Sequence, residues 1–358
     1  MDVIVLVGGE GTRLRPLTYD VPKQMLPVLD RTLIEHVMAW LARNGLRRAV
    51  LSLGYRPDAF LEAFPTGVIE GVTLAYAVEP EPLGTAGAVR FAAEKGGVEG
   101  TFLVLNGDVL TDLDISSLVE FHFSHGAEAS IHLTPVDDPS AFGVVPTEAE
   151  GRVTRFVEKP PPGTAPTNLI NAGTYVLEAR VLDLIPSGPP VSMERETFPA
   201  LAAGGKLFAM ASDDYWLDTG TPQTYLQGQL DILHGLRTPA SRPRGDEVAP
   251  GVFVALDGIV EGVLAGVGYL GPGALLAAGA SAADSVVGAG ARVLAGAQVT
   301  RSALLPGAVV GEGCVVTDTI IGPGTRLGSS CRFEGTTVVR GGLEVPAGTI
   351  SRGGRYPQ

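Results

Sequence analysis

The first residues with chemical potential are Gly8-Gly9-Glu10-Gly11-Thr12-Arg13, directly after the apolar run Val3 to Val7. Glycines there let backbone N–H groups approach a phosphate closely, and Arg13 can add a charge-assisted bond. No Gly-Lys-Ser/Thr ends the stretch, so it is not a P-loop. Leu14 stands where the dinucleotide fingerprint needs a third glycine. Two aspartates follow strand-like runs: Asp108 in Asn106-Gly107-Asp108, and Asp218 after Tyr215-Trp216-Leu217. A strand-end aspartate by itself is commonly a cap or turn residue. His122 and His125 lie three apart on an expected helix, with His132 nearby. No cysteine or further ligand pattern joins them, so they are read as surface histidines.

The elements that must position these groups alternate in type. Asp2 to Val7, Arg48 to Leu53, Val72 to Val78 and Phe102 to Leu105 read as strands. Thr32 to Asn44 carries a helical apolar stripe stopped by Gly45, and Thr85 to Lys95 is also helix-like. Alternation of this kind predicts a mostly parallel sheet covered on both faces, a Rossmann-like α/β/α layer. Ligands in such sheets bind beyond the carboxyl ends of the strands. The glycine turn and Asn106-Gly107-Asp108 both fall there.

Leu236 to Pro250 is rich in proline, arginine and polar residues and reads as a linker. Beyond it a repeat appears. Val287, Leu304 and Ile321 are spaced by 17, as are Val293, Val310 and Leu327, and Val299, Val316 and Phe333. Leu270 and Leu276 extend two of these columns backwards, Ala282 weakly continues the third, and Gly273, Gly290, Gly307 and Gly324 keep the same period. Anchors six, six and five residues apart give three short faces per coil. Such coils bury their anchors only by stacking, so the segment predicts a left-handed parallel β-helix. Cys314 and Cys331 share the period and read as small buried residues in a slot also filled by Ala297. The expected domains are 1–235, a linker 236–250, and a β-helix 251–350.

Charge and composition narrow the function. The formal net charge is −13 and no basic block occurs, which argues against nucleic acid as a partner. No run reaches the ~20 apolar residues of a membrane span. Two cysteines in 358 residues fit a reducing cytoplasm rather than a disulfide scaffold.

The longer string GGEGTRLRPLT with Pro22-Lys23 resembles the signature of the sugar-1-phosphate nucleotidylyltransferases. The resemblance continues in order through EPEPLGTAGA (Glu79 to Ala88), LNGDVLTDLD (Leu105 to Asp114), FVEKP (Phe156 to Pro160), INAGTYVL (Ile170 to Leu177), SMERETFP (Ser192 to Pro199) and YWLDTGTP (Tyr215 to Pro222). Within that family the chain is most similar to the mannose-1-phosphate guanylyltransferases, many of which carry a C-terminal left-handed β-helix. The resemblance implies Asp108 and Asp218 as ligands of Mg²⁺. It implies Arg13 and Lys23 against the triphosphate of a nucleotide cradled by Gly8, Gly9, Gly11 and Thr12. It implies Lys159 on the phosphate of the sugar 1-phosphate, Glu158 and Asn171 on sugar hydroxyls, and Gly143 where the sugar approaches the backbone. It implies that Gly84 and Thr85 belong to the nucleotide loop, with Gly84 letting the base lie against the backbone.

The resemblance also implies that Glu79, just before the PLGTA loop, occupies a position that helps read the base. A carboxylate accepts from both N1–H and the exocyclic amine of guanine, whereas an amide suits thymine or uracil. Gln24 and Thr219 lean the other way, toward thymidylyltransferases. The expected reaction is GTP plus mannose 1-phosphate giving GDP-mannose and pyrophosphate. The alternatives are glucose-1-phosphate thymidylyl (or uridylyl or adenylyl) transfer, and a non-catalytic nucleotide-sugar-sensing subunit. Acyl transfer on the β-helix needs a histidine, and the last one, His234, precedes the linker. The β-helix is therefore expected to mediate a homo-oligomer or bind a regulator, so that removing 251–358 disturbs assembly more than chemistry.

Overall fold

The computed structural model describes residues 1–357. It contains two compact units: Met1–Gly9 with Val37–Trp216, and Glu10–His36 with Leu217 onward. These units do not follow the linear division 1–235, 236–250, 251–350. The signature loop from Glu10 and the helix Pro222–Leu233 group with the β-helix.

The first unit is built on a mixed sheet. Val3–Leu6 lies between Thr101–Asn106 and Arg48–Leu53, and Val72–Val78 pairs with Arg48–Leu53, all parallel. The strands match the expected ones to within a residue at each end; in the three central ones most side chains are apolar and buried. Leu169–Glu178 then adds antiparallel to Thr101–Asn106, and Ala129–Pro135 antiparallel to Leu169–Glu178. The helix Gly84–Gly96 packs on the parallel strands so closely that a Cβ on Gly96 would stand 2.5 Å from Cγ2 of Val50. One core runs from Ile4 and Val50 through Val89, Val104 and Tyr175 to Phe198.

The second unit carries the repeat. Leu276, Val293, Val310 and Leu327 stack in parallel register, as do Leu270, Val287, Leu304 and Ile321, and Ala282, Val299, Val316 and Phe333. All three anchor columns are buried, and together they form the core of a parallel β-helix. The glycine column has positive φ throughout, 63° to 72° from Gly273 to Gly324, the conformation a corner requires and a Cβ resists. A further corner was not legible in the sequence, because Asp284, Arg301 and Asp318 fill it with φ of 42° to 50°. There the Arg301 guanidinium donates to both carboxylate oxygens of Asp318 at 2.8 and 2.7 Å. Part of the expected linker is structured: Asp246–Ala249 pairs antiparallel with Val252–Val254.

The front segment of this unit is tied to its helix Pro222–Leu233. The Tyr225 hydroxyl donates to the Pro27 carbonyl, and Leu29 N–H donates to Gln229 Oε1 at 3.2 Å. No helix among the described residues is long and apolar enough to cross a membrane.

Candidate active site

In the first unit the chain leaves its opening strand at Gly8-Gly9, both exposed. A Cβ on Gly8 would sit 3.6 Å from Oε1 of Glu79 and 3.5 Å from the backbone of Gly54, so the turn runs beside the Glu79 carboxylate. Glu79 is half-buried one residue past the strand Val72–Val78. Ser52 Oγ donates to its Oε1 at 2.9 Å and Leu83 N–H to its Oε2 at 3.3 Å. Each carboxylate oxygen keeps a second lone pair, so a carboxylate braced at both oxygens can still accept two parallel bonds.

Gly84 begins the next helix with φ 72°, and a Cβ there would stand 2.5 Å from the Val191 carbonyl oxygen. Glycine is required by this backbone contact, a reason other than approach of a base. The Thr85 hydroxyl donates to Glu194 Oε2 at 2.8 Å and accepts from Met193 N–H at 2.8 Å. That hydroxyl is thus engaged in clamping its loop to the segment Ser192–Thr197.

Asp108 follows a turn whose Gly107 N–H donates to the Leu6 carbonyl at 2.9 Å; a Cβ on Gly107 would lie 2.5 Å from Val7 Cγ1. The end of one strand is therefore held against the end of its parallel neighbour. The expected sugar residues gather on short antiparallel strands, with Gly143 opposite Glu158. A Cβ on Gly143 would meet Phe156 Cε1 at 2.5 Å and Glu158 Oε2 at 3.0 Å. Lys159 takes φ 48°, pinned by its N–H to the Phe142 carbonyl at 3.0 Å and followed by buried Pro160. A non-glycine residue costs about 1–2 kcal/mol in that conformation, which the surrounding bonds offset. Its ammonium is 3.7 Å from Glu158 Oε1 and its side chain is 62 % exposed, free to reach an anion. Asn171 is partly engaged: its amide donates to the Tyr175 hydroxyl at 2.8 Å and its Oδ1 accepts from Gly173 N–H at 3.0 Å, across the bulge in its strand.

In the second unit Gly11 has φ 61° and abuts the side chains of Lys23 and Thr18, each 3.1 Å from where its Cβ would be. The Thr18 hydroxyl donates to the Gly11 carbonyl at 2.8 Å. Thr12–Leu14 forms one 3₁₀ turn that projects Arg13. Nη2 of Arg13 lies 3.5 Å from Oδ2 of Asp218, and Oδ1 of Asp218 accepts from Gly220 N–H at 2.7 Å. A Cβ on Gly220 would collide with the guanidinium, so this glycine keeps the pair together. Gln24 and Thr219, the two departures from the guanylyl pattern, are each 1 % exposed. Both side chains are therefore withdrawn from the surface.

The structure thus brings Gly8 beside Glu79, Glu158 and Lys159 beside Gly143, and Gly11 and Arg13 beside Lys23 and Asp218 respectively. Sequence reasoning missed Ser52; its signal was a lone hydroxyl in an otherwise apolar strand. For Mg²⁺ the donor chemistry fits: Asp108 and Asp218 offer hard carboxylate oxygens, and Mg²⁺ commonly takes one or two of these plus substrate phosphates. Among the described residues no cluster of three or more His, Cys, Asp or Glu could hold a metal unaided.

The histidine reading is corrected. His122 and His132 are buried, the first bonded to Ser130 Oγ at 2.9 Å and Glu178 Oε1 at 3.2 Å, the second to Ser212 Oγ at 2.8 Å. Both are buried polar residues, and desolvation drives the His132 imidazole down to about 4. Cys314 and Cys331 are free and buried as expected, with burial pushing the Cys314 thiol up to about 11.

A glycine-rich strand-end turn, strand-end carboxylates and a braced glutamate beside that turn, on a parallel core sheet with a β-helix in the same chain, define a nucleotide-handling α/β transferase. Residues 2–235 match the model of the nucleotidyl transferase family, and residues 269–353 match that of the GMPPB C-terminal domain. The chain belongs to the nucleotidyl transferase family. It is 41 % identical to a mannose-1-phosphate guanylyltransferase of Mycobacterium tuberculosis over 77 % of this chain and 78 % of that protein. It is 42 % identical to mannose-1-phosphate guanylyltransferase 1 of Arabidopsis thaliana, over 71 % of each. Among solved structures, HddC from Yersinia pseudotuberculosis complexed with GMP-PN aligns with a TM-score of 0.55 at 28 % identity, over 64 % of this chain and 99 % of that one.

Proposed function

We propose that the protein transfers a guanylyl group from GTP to mannose 1-phosphate, giving GDP-mannose and pyrophosphate. A phosphate oxygen of the sugar 1-phosphate attacks the α-phosphorus in line, a new P–O bond forms, and the bond to the β-phosphate breaks. Such transfers rest on positioning and neutralisation of charge. Glu79 accepts from guanine N1–H and the exocyclic amine, held in register by Ser52 and Leu83. Arg13 and Lys23 bind the triphosphate, and Arg13 can exchange the Asp218 carboxylate for a phosphate. Lys159 binds the sugar phosphate, while Glu158 and Asn171 accept and donate to hydroxyls of the sugar. Asp108 and Asp218 would hold Mg²⁺, which when bound supplies charge neutralisation at the phosphates.

The observation that carries the choice of nucleotide is the doubly braced Glu79 carboxylate, half-exposed while Gln24 and Thr219 are buried. The names of the relatives and the guanine nucleotide in the HddC complex support it. The reading of a homo-oligomer through the β-helix is supported by exposed apolar residues on its opening coil, Leu256, Ile259, Val260 and Val263.

The test is pyrophosphate release with Mg²⁺, crossing GTP, dTTP, UTP and ATP against mannose 1-phosphate and glucose 1-phosphate. Highest turnover with GTP and mannose 1-phosphate is expected. Preference for dTTP and glucose 1-phosphate would overturn the substrate reading, and no turnover with any pair would favour a sensing subunit.

A further inference from the structure

The last coil of the β-helix reaches the phosphate loop. Nη2 of Arg355 donates to the Thr12 carbonyl at 3.0 Å, across 343 residues of sequence. Nη2 of Arg340 lies 3.5 Å from Asp20 Oδ2, and its guanidinium stands 5.7 Å from the centre of the Tyr19 ring. Arg15 stands 5.5 Å from the same ring centre and donates to Glu10 Oε2 at 2.7 Å. Both ends of the segment Glu10 to Asp20 therefore meet arginines, two of them belonging to the β-helix.

These arginines are themselves fixed. Arg340 N–H donates to the Tyr356 carbonyl at 2.9 Å. Ile350–Tyr356 pairs in parallel with Arg332–Val339, and the Tyr356 ring packs edge-on against buried Phe333 with centroids 5.3 Å apart. The loop has short-range bonds of its own: the Thr18 hydroxyl and Leu14 N–H donate to the Gly11 carbonyl at 2.8 and 2.9 Å, and Arg15 N–H donates to the Thr12 carbonyl at 3.3 Å. It follows exposed Gly8 and Gly9, and it turns at a left-handed Gly11, a conformation glycine adopts without the penalty a Cβ brings. An anchor on the Thr12 carbonyl fixes the peptide immediately before Arg13.

We propose that Arg355 and Arg340 are positioning residues for nucleotide binding: the terminal coil holds the phosphate loop in the conformation that presents Arg13 to the triphosphate. This inference rests on the nucleotidyl-transfer reading of the loop. It gives the β-helix a part in the reaction within one chain, separate from any assembly role.

The experiment compares full-length wild type with Arg355→Ala, Arg340→Ala and Arg355→Lys in steady-state pyrophosphate release, using the most active nucleotide and sugar phosphate pair. Arg352→Ala serves as control; that side chain lies on the same strand beside Glu334. Each alanine variant should raise KM for the nucleotide about 5- to 10-fold, as expected for one lost anchoring bond, with KM for the sugar phosphate and the melting temperature unchanged. Arg355→Lys keeps a donor and should recover most of the loss. The control should match wild type. Alanine variants with wild-type KM for the nucleotide would overturn the proposal. So would equal losses in both KM values, or a KM shift that appears only with a fall in melting temperature, which would mark a purely structural role. If Arg355→Ala does not fold, Arg340→Ala decides by the same criteria. Wild type inactive with every pair would instead sink the transferase reading itself, a distinguishable failure.

Discussion

The guanidinium of Arg13 stands 3.5 Å from the Asp218 carboxylate, Nη2 to Oδ2, although 205 residues separate them. One is the cation proposed for the triphosphate and the other a carboxylate proposed for Mg²⁺. In that reading, binding of the triphosphate and the metal would exchange this contact for contacts to the ligands. The Arg13 side chain is 60 % exposed, so the pair contributes under about 1 kcal/mol to folding.

Function and stability should therefore separate at this pair. Asp218→Asn and Asp108→Asn should each lower kcat by about 100-fold or more, the scale of losing one charge-stabilising group. Urea denaturation of Asp218→Asn should stay within about 1 kcal/mol of wild type. Near-normal turnover would remove these aspartates from the metal assignment.

Glu79→Gln keeps the shape but replaces one acceptor with a donor facing guanine. Preference for GTP over dTTP, as a ratio of kcat/KM, should fall by about 10- to 100-fold. Ser52→Ala should shift the same ratio in the same direction by less, since it loosens the brace without changing the carboxylate. An unchanged ratio in Glu79→Gln would show that another group reads the base.

His132 links stability to pH. Burial lowers its folded-state value from 6.5 to about 4, so the unfolded chain binds the extra proton first as acid is added. Its contribution is complete above pH 6.5 and is lost as pH falls toward 4, about 3 kcal/mol in all. Chemical denaturation across that window should show the decline, and His132→Gln should flatten it. A decline of the same size in the variant would place its source elsewhere.

The opening coil of the β-helix leaves Leu256 98 % exposed near Ile259, Val260 and Val263. Leu256→Asp should lower the assembled mass measured by light scattering while leaving per-chain turnover intact. Unchanged mass would exclude this coil as the contact between copies.

The sequence by itself determined the elements and the chemistry's vocabulary. Buried strands such as Arg48–Leu53 and the 17-residue columns are legible because burial and stacking impose strict local periods. The motif around Asp108 and the signature at Gly8 to Arg13 are legible because their residues are contiguous. The tertiary structure alone decided which groups meet. Ser52 braces Glu79 from a neighbouring strand, and Arg355 holds Thr12 from the far end of the chain. It alone buried Gln24, a polar residue, and His132, which had read as a surface histidine. Such outcomes depend on how strands and coils pack, and no local spacing encodes a contact made only when distant segments close on each other.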